Sequence, residues 1–218
     1  MSPKITVIIP VYNEETLLAK ALASIPKGKD IEVLILDDGS TDNSFGVADK
    51  WRKDNTENFW AISVVKFTHN HGIAPTMNAG FSLAKGEYLV SLSSDDYYTT
   101  DFEGFRPYLD GQNDLVFFDL EVNDGSVWHL DEKSKKALVG AVKFIRRDFL
   151  GNTRIPNYKY KEDTPFSKEL YAKNPKEVYT GIVLKHYNWP REGSLSWQAT
   201  QDYEQDREKW AKNAGIIS

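Results

Sequence analysis

The chain has 218 residues, enough for one sizeable core, and 40% apolar with 13% aromatic residues is the composition of a packed globular protein rather than a disordered one. Lys and Arg number 27 against 32 Asp and Glu, a formal net charge of -5, which provides no basic footprint for a phosphate backbone and argues against nucleic acid as a partner. The absence of cysteine excludes disulfides, zinc–thiolate centres and thiol nucleophiles.

The longest apolar run, Ile5 to Val11 with Pro10 inside it, falls far short of the roughly 20 residues that a spanning helix needs. With no basic-then-apolar leader before it, the protein is expected to stay in the cytoplasm, and peripheral contact with a membrane remains open. Lys4 to Pro10 is short and β-branched, as a strand buried on both faces should be. Glu14 to Ser24 has Leu17, Leu18, Ala21 and Leu22 at helical spacing, with Asn13 as expected N-cap. Ile31 to Leu36 predicts a second strand, Ser40 to Asn55 a second helix, and Ala61 to Phe67 a third strand. Ile73 to Lys85 predicts a third helix ended by Gly86, and Glu87 to Leu92 a fourth strand running into Ser93-Ser94-Asp95-Asp96. This alternation predicts an α/β protein with a mostly parallel wound sheet.

Further on, Leu115 to Val122 and Val127 to Leu130 flank Asn123-Asp124-Gly125-Ser126, the pattern of an antiparallel hairpin that extends the sheet. Lys143 to Leu150 reads as a short basic helix, Phe166 to Asn174 as another, and Trp197 to Ala214 as a polar amphipathic C-terminal helix. No internal repeat or linker is visible, so one domain over 1–218 is expected.

Ligands of an open α/β sheet bind beyond the carboxyl ends of its strands. Those ends carry Pro10-Val11-Tyr12-Asn13-Glu14, Asp37-Asp38-Gly39-Ser40, His69-Asn70-His71-Gly72 and Ser94-Asp95-Asp96. Carboxylates gathered in one place repel one another unless a cation sits among them, and hard oxygen ligands suit Mg2+, Mn2+ or Ca2+. Each acidic pair also has a simpler reading. Asp37-Asp38-Gly39-Ser40 suits a turn and helix cap, and Asp95-Asp96 suits a solvated loop.

The ordered series Val7 to Glu14, Leu36 to Asp42, Asn70-His71-Gly72, Asn78-Ala79-Gly80 and Ala84 to Tyr88 resembles glycosyltransferase family 2, the inverting transferases of GT-A fold. Gly140 to Leu150, Glu162 to Phe166, His186-Tyr187 and Gly193 to Ser196 resemble the acceptor half of capsule and lipopolysaccharide-type members. The resemblance implies a nucleotide-sugar-binding half over 1–100, an acceptor half over 101–196, and a GT-A sheet with an antiparallel extension. It also implies an inverting, metal-assisted hexosyl transfer in polysaccharide biosynthesis, from a nucleotide sugar, with UDP favoured, to a glycan or lipid-linked acceptor.

By the same resemblance, Pro10, Tyr12, Glu14, Asp37, Asp38, Asn70, Gly72, Asn78 and Ser94 line the donor, with Tyr12 and Asp38 at the base. Asp95 and Asp96, with His186, hold Mn2+ or Mg2+, and Asp163 is the general base with Glu162 beside it. Ser93 replaces the first acid of the family's Asp-x-Asp motif, and Met77 stands where many relatives carry Arg. For Glu162-Asp163 a helix N-cap before Thr164-Pro165 is the alternative. His69 and His71 read as loop residues. Lys143, Arg146 and Arg147 fit either an anionic acceptor or a solvated helix face, and Tyr187, Trp189 and Trp197 fit packing better than sugar stacking. Two other readings remain, a non-catalytic ligand-binding module and a sugar nucleotidyltransferase. The latter is disfavoured because Pro10 to Glu15 lacks a glycine-rich basic loop.

Overall fold

The first apolar run forms β1 (Ile5–Val11), which pairs in parallel with β2 (Gly28–Asp37) on one side and β4 (Tyr88–Ser91) on the other. A strand enclosed on both edges and both faces has no position for solvent, which is why Ile5, Val7, Ile8 and Ile9 are all buried. β3 (Phe59–Lys66) adds in parallel to β2. The connecting helices are α1 (Leu18–Ala23), α2 (Ser44–Asn55) and α3 (Ile73–Leu83). This computed structural model describes residues 2–130, 142–157, 163–194, 197–198 and 200–201.

The second half contributes β5 (Tyr97–Tyr98), β6 (Leu115–Val122), β7 (Val127–Trp128), β8 (Lys143–Arg146), α4 (Arg147–Leu150), α5 (Asp163–Tyr171) and β9 (Glu177–Tyr187). The sheet order is β3-β2-β1-β4-β8-β6-β9-β5, with β7 paired to β6. β8 runs antiparallel to both β4 and β6, and β9 runs parallel to β6. The carboxyl ends of β1, β2, β3, β4, β6 and β9 therefore share one edge. The expected hairpin is present, with Leu120 opposite Trp128.

Three expectations need correction. The stretch Lys143 to Leu150 is helical only from Arg147, because Lys143, Phe144 and Ile145 are buried as a strand between β4 and β6; tertiary pairing overrides the local pattern. α1 starts at Leu18, since Asn13 takes a left-handed φ of 54° and its side chain serves another loop. α2 starts at Ser44, because Ser40 to Asn43 are used in the turn that precedes it.

The α3–β4 turn is fixed by a buried polar network. Thr6 Oγ1 donates to Glu32 Oε2 (2.6 Å) and accepts from Gly86 N (2.8 Å), while Lys85 N donates to the same Glu32 oxygen (2.8 Å). A Cβ on Gly86 would lie 2.5 Å from Thr6 N, so the turn approaches β1 this closely only as glycine. Beside β6 and β8 the core is aromatic: Phe144 lies 5.5 Å from Phe102, 5.3 Å from Phe105 and 5.8 Å from Phe118, ring centre to ring centre.

The chain divides into two compact units, Met1–Tyr187 and Asn188–Ser218. All nine strands of the described residues belong to the first. In the second, Gln198 N donates to Ser194 O (2.9 Å) and Trp197 N to Ser194 Oγ (3.1 Å). Most of the expected helix from Trp197 to Ala214 lies outside the described residues.

Candidate functional site

The loops after β1 and β2 are laced together by side chains. Asn13 Oδ1 accepts from Thr41 N (2.8 Å), Asn13 N donates to Ser40 Oγ (3.0 Å) and Glu14 N to Ser44 Oγ (2.9 Å). Glu15 N donates to Asp42 Oδ2 (3.1 Å), and Asn43 N donates to Glu15 Oε2 (2.8 Å). Burial opposes ionisation of Asp42, but hydrogen bonds from the Ser44 side chain and backbone outweigh it and hold the carboxyl below its usual range. Short polar side chains that bond to nearby backbone are what turns select. Here they fix the floor on which Pro10, half-buried, and Tyr12, 44% exposed, are presented.

The two aspartates after β2 have different tasks. Asp37 turns inward: its Oδ1 accepts from Ser40 N (2.8 Å), and Lys66 Nζ stands 3.6 Å from Oδ2. Asp38 is clamped by the third loop, Oδ1 accepting from His71 N (2.9 Å) and Oδ2 from Gly72 N (2.8 Å). Each oxygen retains a lone pair for a ligand donor. Gly39 makes this possible, for at φ 72° a Cβ would sit 2.5 Å from the His69 backbone carbon. Asn70 is exposed beside that crossing, and Gly72 opens α3 at φ 92°. The rings of His69 and His71 lie 4.0 Å apart, centre to centre, with planes tilted by 32°, in the exposed loop.

The Asn78 amide is engaged by the backbone of Ile155. Asn78 Nδ2 donates to Ile155 O (2.8 Å) and its Oδ1 accepts from Ile155 N (2.9 Å), so the amide clamps the segment after α4 to α3. Met77 is buried in the core.

After β4 burial alternates: Ser94 is buried, Asp95 half-buried, Asp96 buried, Tyr97 half-buried and Tyr98 buried. Asp96 points to the fully buried Lys185 of β9, Oδ2 to Nζ 3.3 Å. His186, the next residue of β9, pairs with Tyr97 and stacks on it, with centroids 4.4 Å apart and ring planes 10° apart. Lys20 Nζ lies 3.5 Å from the centre of the Tyr97 ring. The His186 Nδ1 atom is buried and has no hydrogen-bond partner among the described residues.

No group of three or more potential metal-binding side chains converges among the described residues. A Mg2+-like ion takes one or two carboxylates and completes its shell with water and substrate phosphates, so it does not require such a group. A half-buried Asp95 and the unpaired Nδ1 of His186 are donors suited to such sharing.

In the second half of the chain, α5 begins at Asp163 and is anchored by Phe166, buried and stacked on Phe81 of α3 at 5.8 Å. Of Asp163 only its place as the first residue of α5 is described, and Glu162 lies outside the described residues. Arg146 bonds Asp114, and Lys143 lies within β8, 5.3 Å from the Phe117 ring centre. These two residues are buried or paired in the sheet rather than placed on a solvated helix face. Arg147 is exposed at the start of α4.

The sequence reading passed over Lys185, Tyr97 and a further buried carboxylate, Asp119. Asp119 of β6 accepts from Tyr179 OH (2.8 Å to each oxygen) and Leu130 N (3.1 Å), and meets His129 Nδ1 at 2.7 Å. Burial, the hydrogen bond to Asp119 and its charge push the Tyr179 phenol up to about 12. A lysine inside the run Ile182-Val183-Leu184-Lys185, and an aspartate inside Phe117-Phe118-Asp119-Leu120, were the visible signals of buried charge.

Comparisons with known proteins agree with this fold. TarS of S. aureus, solved in complex with UDP-GlcNAc, superposes with a TM-score of 0.74 at 22% identity over 88% of this chain and 60% of its own. A mannosyltransferase from Pyrobaculum calidifontis, solved with GDP-Man and Mn2+, gives 0.69 at 20% identity over 90% and 60%. At that identity they establish the fold, a GT-A sheet. A poly(ribitol-phosphate) beta-glucosyltransferase of Bacillus spizizenii is 35% identical over 87% of this chain and 33% of its own length. An uncharacterized glycosyltransferase of Haemophilus influenzae is 30% identical over 84% and 76%. The chain spans about a third of the first curated relatives it matches. The profile described as Glycosyl transferase family 2 matches residues 6–168, covering the laced loops, the Asp38 clamp, the Asp95 loop and the start of α5, and the chain belongs to that family.

Proposed function

We propose that this chain binds a nucleotide-sugar donor, UDP-linked by preference, along the edge formed by the ends of β1 to β4, and transfers its hexose with inversion to a glycan or lipid-linked acceptor. The observation that carries this reading is the Asp38 carboxylate clamped by His71 N and Gly72 N, on a residue whose backbone N bonds Val11 O (2.8 Å), the chain neighbour of the exposed Tyr12. A carboxylate with lone pairs to spare can accept the base imide hydrogen while an aromatic face takes the ring. Pro10, Glu14, Asn70, Gly72 and Ser94 complete the donor wall, and Asp37 shapes the turn beneath it. A protein of this fold solved with UDP-GlcNAc supports the choice of base.

Asp95 and His186 would hold Mn2+ or Mg2+. When bound, the cation offsets negative charge on the diphosphate leaving group. Asp163 takes the proton of the acceptor hydroxyl, its helix held in place by Phe166 on Phe81, and Glu162 orients the same loop.

Two variants test the assignment in one titration calorimetry and turnover series. Tyr12→Ala should weaken UDP binding about tenfold, the scale of a lost base–aromatic stack. Asp163→Asn should keep UDP affinity and lose transfer at least about a hundredfold, the lower range of general-base contributions. Undiminished turnover in Asp163→Asn overturns the base, and unchanged UDP affinity in Tyr12→Ala overturns the donor site.

A further inference from the structure

Lys185 is fully buried, and among the described residues its ammonium has one charged partner, Asp96, at 3.3 Å, with no hydrogen bond. A lone buried ammonium is costly, so Lys185 is not retained at this depth without the Asp96 counter-charge. Tyr98, opposite Lys185 in the β5–β9 ladder, places a third buried polar group there: its hydroxyl also lacks a hydrogen bond among the described residues. Burial and then the Asp96 charge push the Tyr98 phenol up. The cluster sits beside the aromatic core, through the edge-to-face contact of Tyr98 with Phe102 at 5.1 Å.

Successive residues of a strand face opposite ways. Tyr97 and His186 therefore share one face of the β5–β9 ladder, and Tyr98 and Lys185 the other. Asp96 reaches to the Lys185 side, while Asp95, its chain neighbour, stays half-buried at the ligand edge. The ladder has only two residue pairs, too few to hold a strand by backbone bonds alone. The ion pair adds a tie between the chain neighbour of Asp95 and the chain neighbour of His186.

We propose that Asp96 and Lys185 form a buried lock that sets the spacing of Asp95 and His186, so that Asp96 is a positioning residue and not a cation ligand. The functional part of this inference rests on the donor reading above; the lock itself does not.

The test uses the full chain, UDP and Mn2+ as probes, and three variants: Lys185→Met, Asp96→Asn and the double variant. Lys185→Met should lower Tm by about 10 °C, as expected for a broken buried pair in a chain of this size, and weaken Mn2+-dependent UDP binding at least tenfold. The double variant removes both charges, so it should recover most of the Tm loss and return Mn2+-dependent UDP affinity to within about threefold of wild type. Recovery of Tm without recovery of the Mn2+ dependence would make Asp96 a direct ligand and overturn the proposal. Additive Tm losses would show no lock and overturn it as well. If wild type shows no Mn2+-dependent UDP binding, the donor reading fails, and the Tm cycle alone then decides the lock.

Discussion

β1 meets β2 over seven consecutive residue pairs with no shift in register, whereas β6 meets β9 through two register shifts, with Gly181 of β9 at φ 67°. The amino-terminal flank is held chiefly by its backbone ladder and apolar contacts, with Thr6 and Glu32 as a small polar clasp. The carboxyl-terminal flank is held by side chains that reach into backbone. Asp114 accepts from Lys176 N (2.8 Å), Thr180 Oγ1 donates to Phe117 O (2.8 Å), and Asp119 gathers Tyr179, His129 and Leu130. An irregular ladder can be as firmly specified as a regular one when polar side chains occupy the positions its backbone bonds leave open.

The largest test of this contrast is Phe144→Ala. Loss of a ring in contact with three others should cost about 3–5 kcal/mol in urea unfolding. Native-state hydrogen exchange should show protection falling first in β6, β8 and β9; an equal fall in β1 and β2 would show that the flanks do not open separately. Next in size, Thr6→Val should cost about 1–3 kcal/mol in the same measurement, since Gly86 N is left in the core without its acceptor. Its exchange signature should be confined to β1, β2 and the α3–β4 turn.

The smallest effect concerns the seam between flanks. Tyr88 of β4 donates its hydroxyl to Asn113 O (2.8 Å) and accepts from Gly111 N (3.0 Å), and burial pushes its phenol up to about 12. The folded state favours the neutral phenol, so this contribution is fully present below pH 10 and is lost as pH rises through about 12. At pH 11 stability should be lower than at neutral pH, and Tyr88→Phe should remove that slope in alkaline unfolding curves.

The amino-terminal flank was legible in the sequence because its determinants are local: continuous apolar runs, helical spacing of Leu18, Ala21 and Leu22, and glycines at turns. Helix starts were misplaced where a polar residue bonds across loops, as Asn13 does with Thr41, since no local pattern distinguishes a cap from a cross-loop bond. On the other flank β8 was read as helix and β9 was passed over. Lys143 and Lys185 look like solvent-facing charges in sequence, and only their neighbours in the sheet make them interior. The acidic pairs of the candidate site were visible as pairs, but the division of labour within each depends on which aspartate meets backbone or lysine in three dimensions.

The lacing of the loops after β1 and β2 bears on how this fold can be engineered. Residues 13–15 and 40–44 satisfy one another's backbone groups, so neither loop is a separable module. A graft that transplants one loop from a relative, in pursuit of a different nucleotide preference, would strand the backbone amides that the other loop now serves. The two segments constitute one exchangeable cassette.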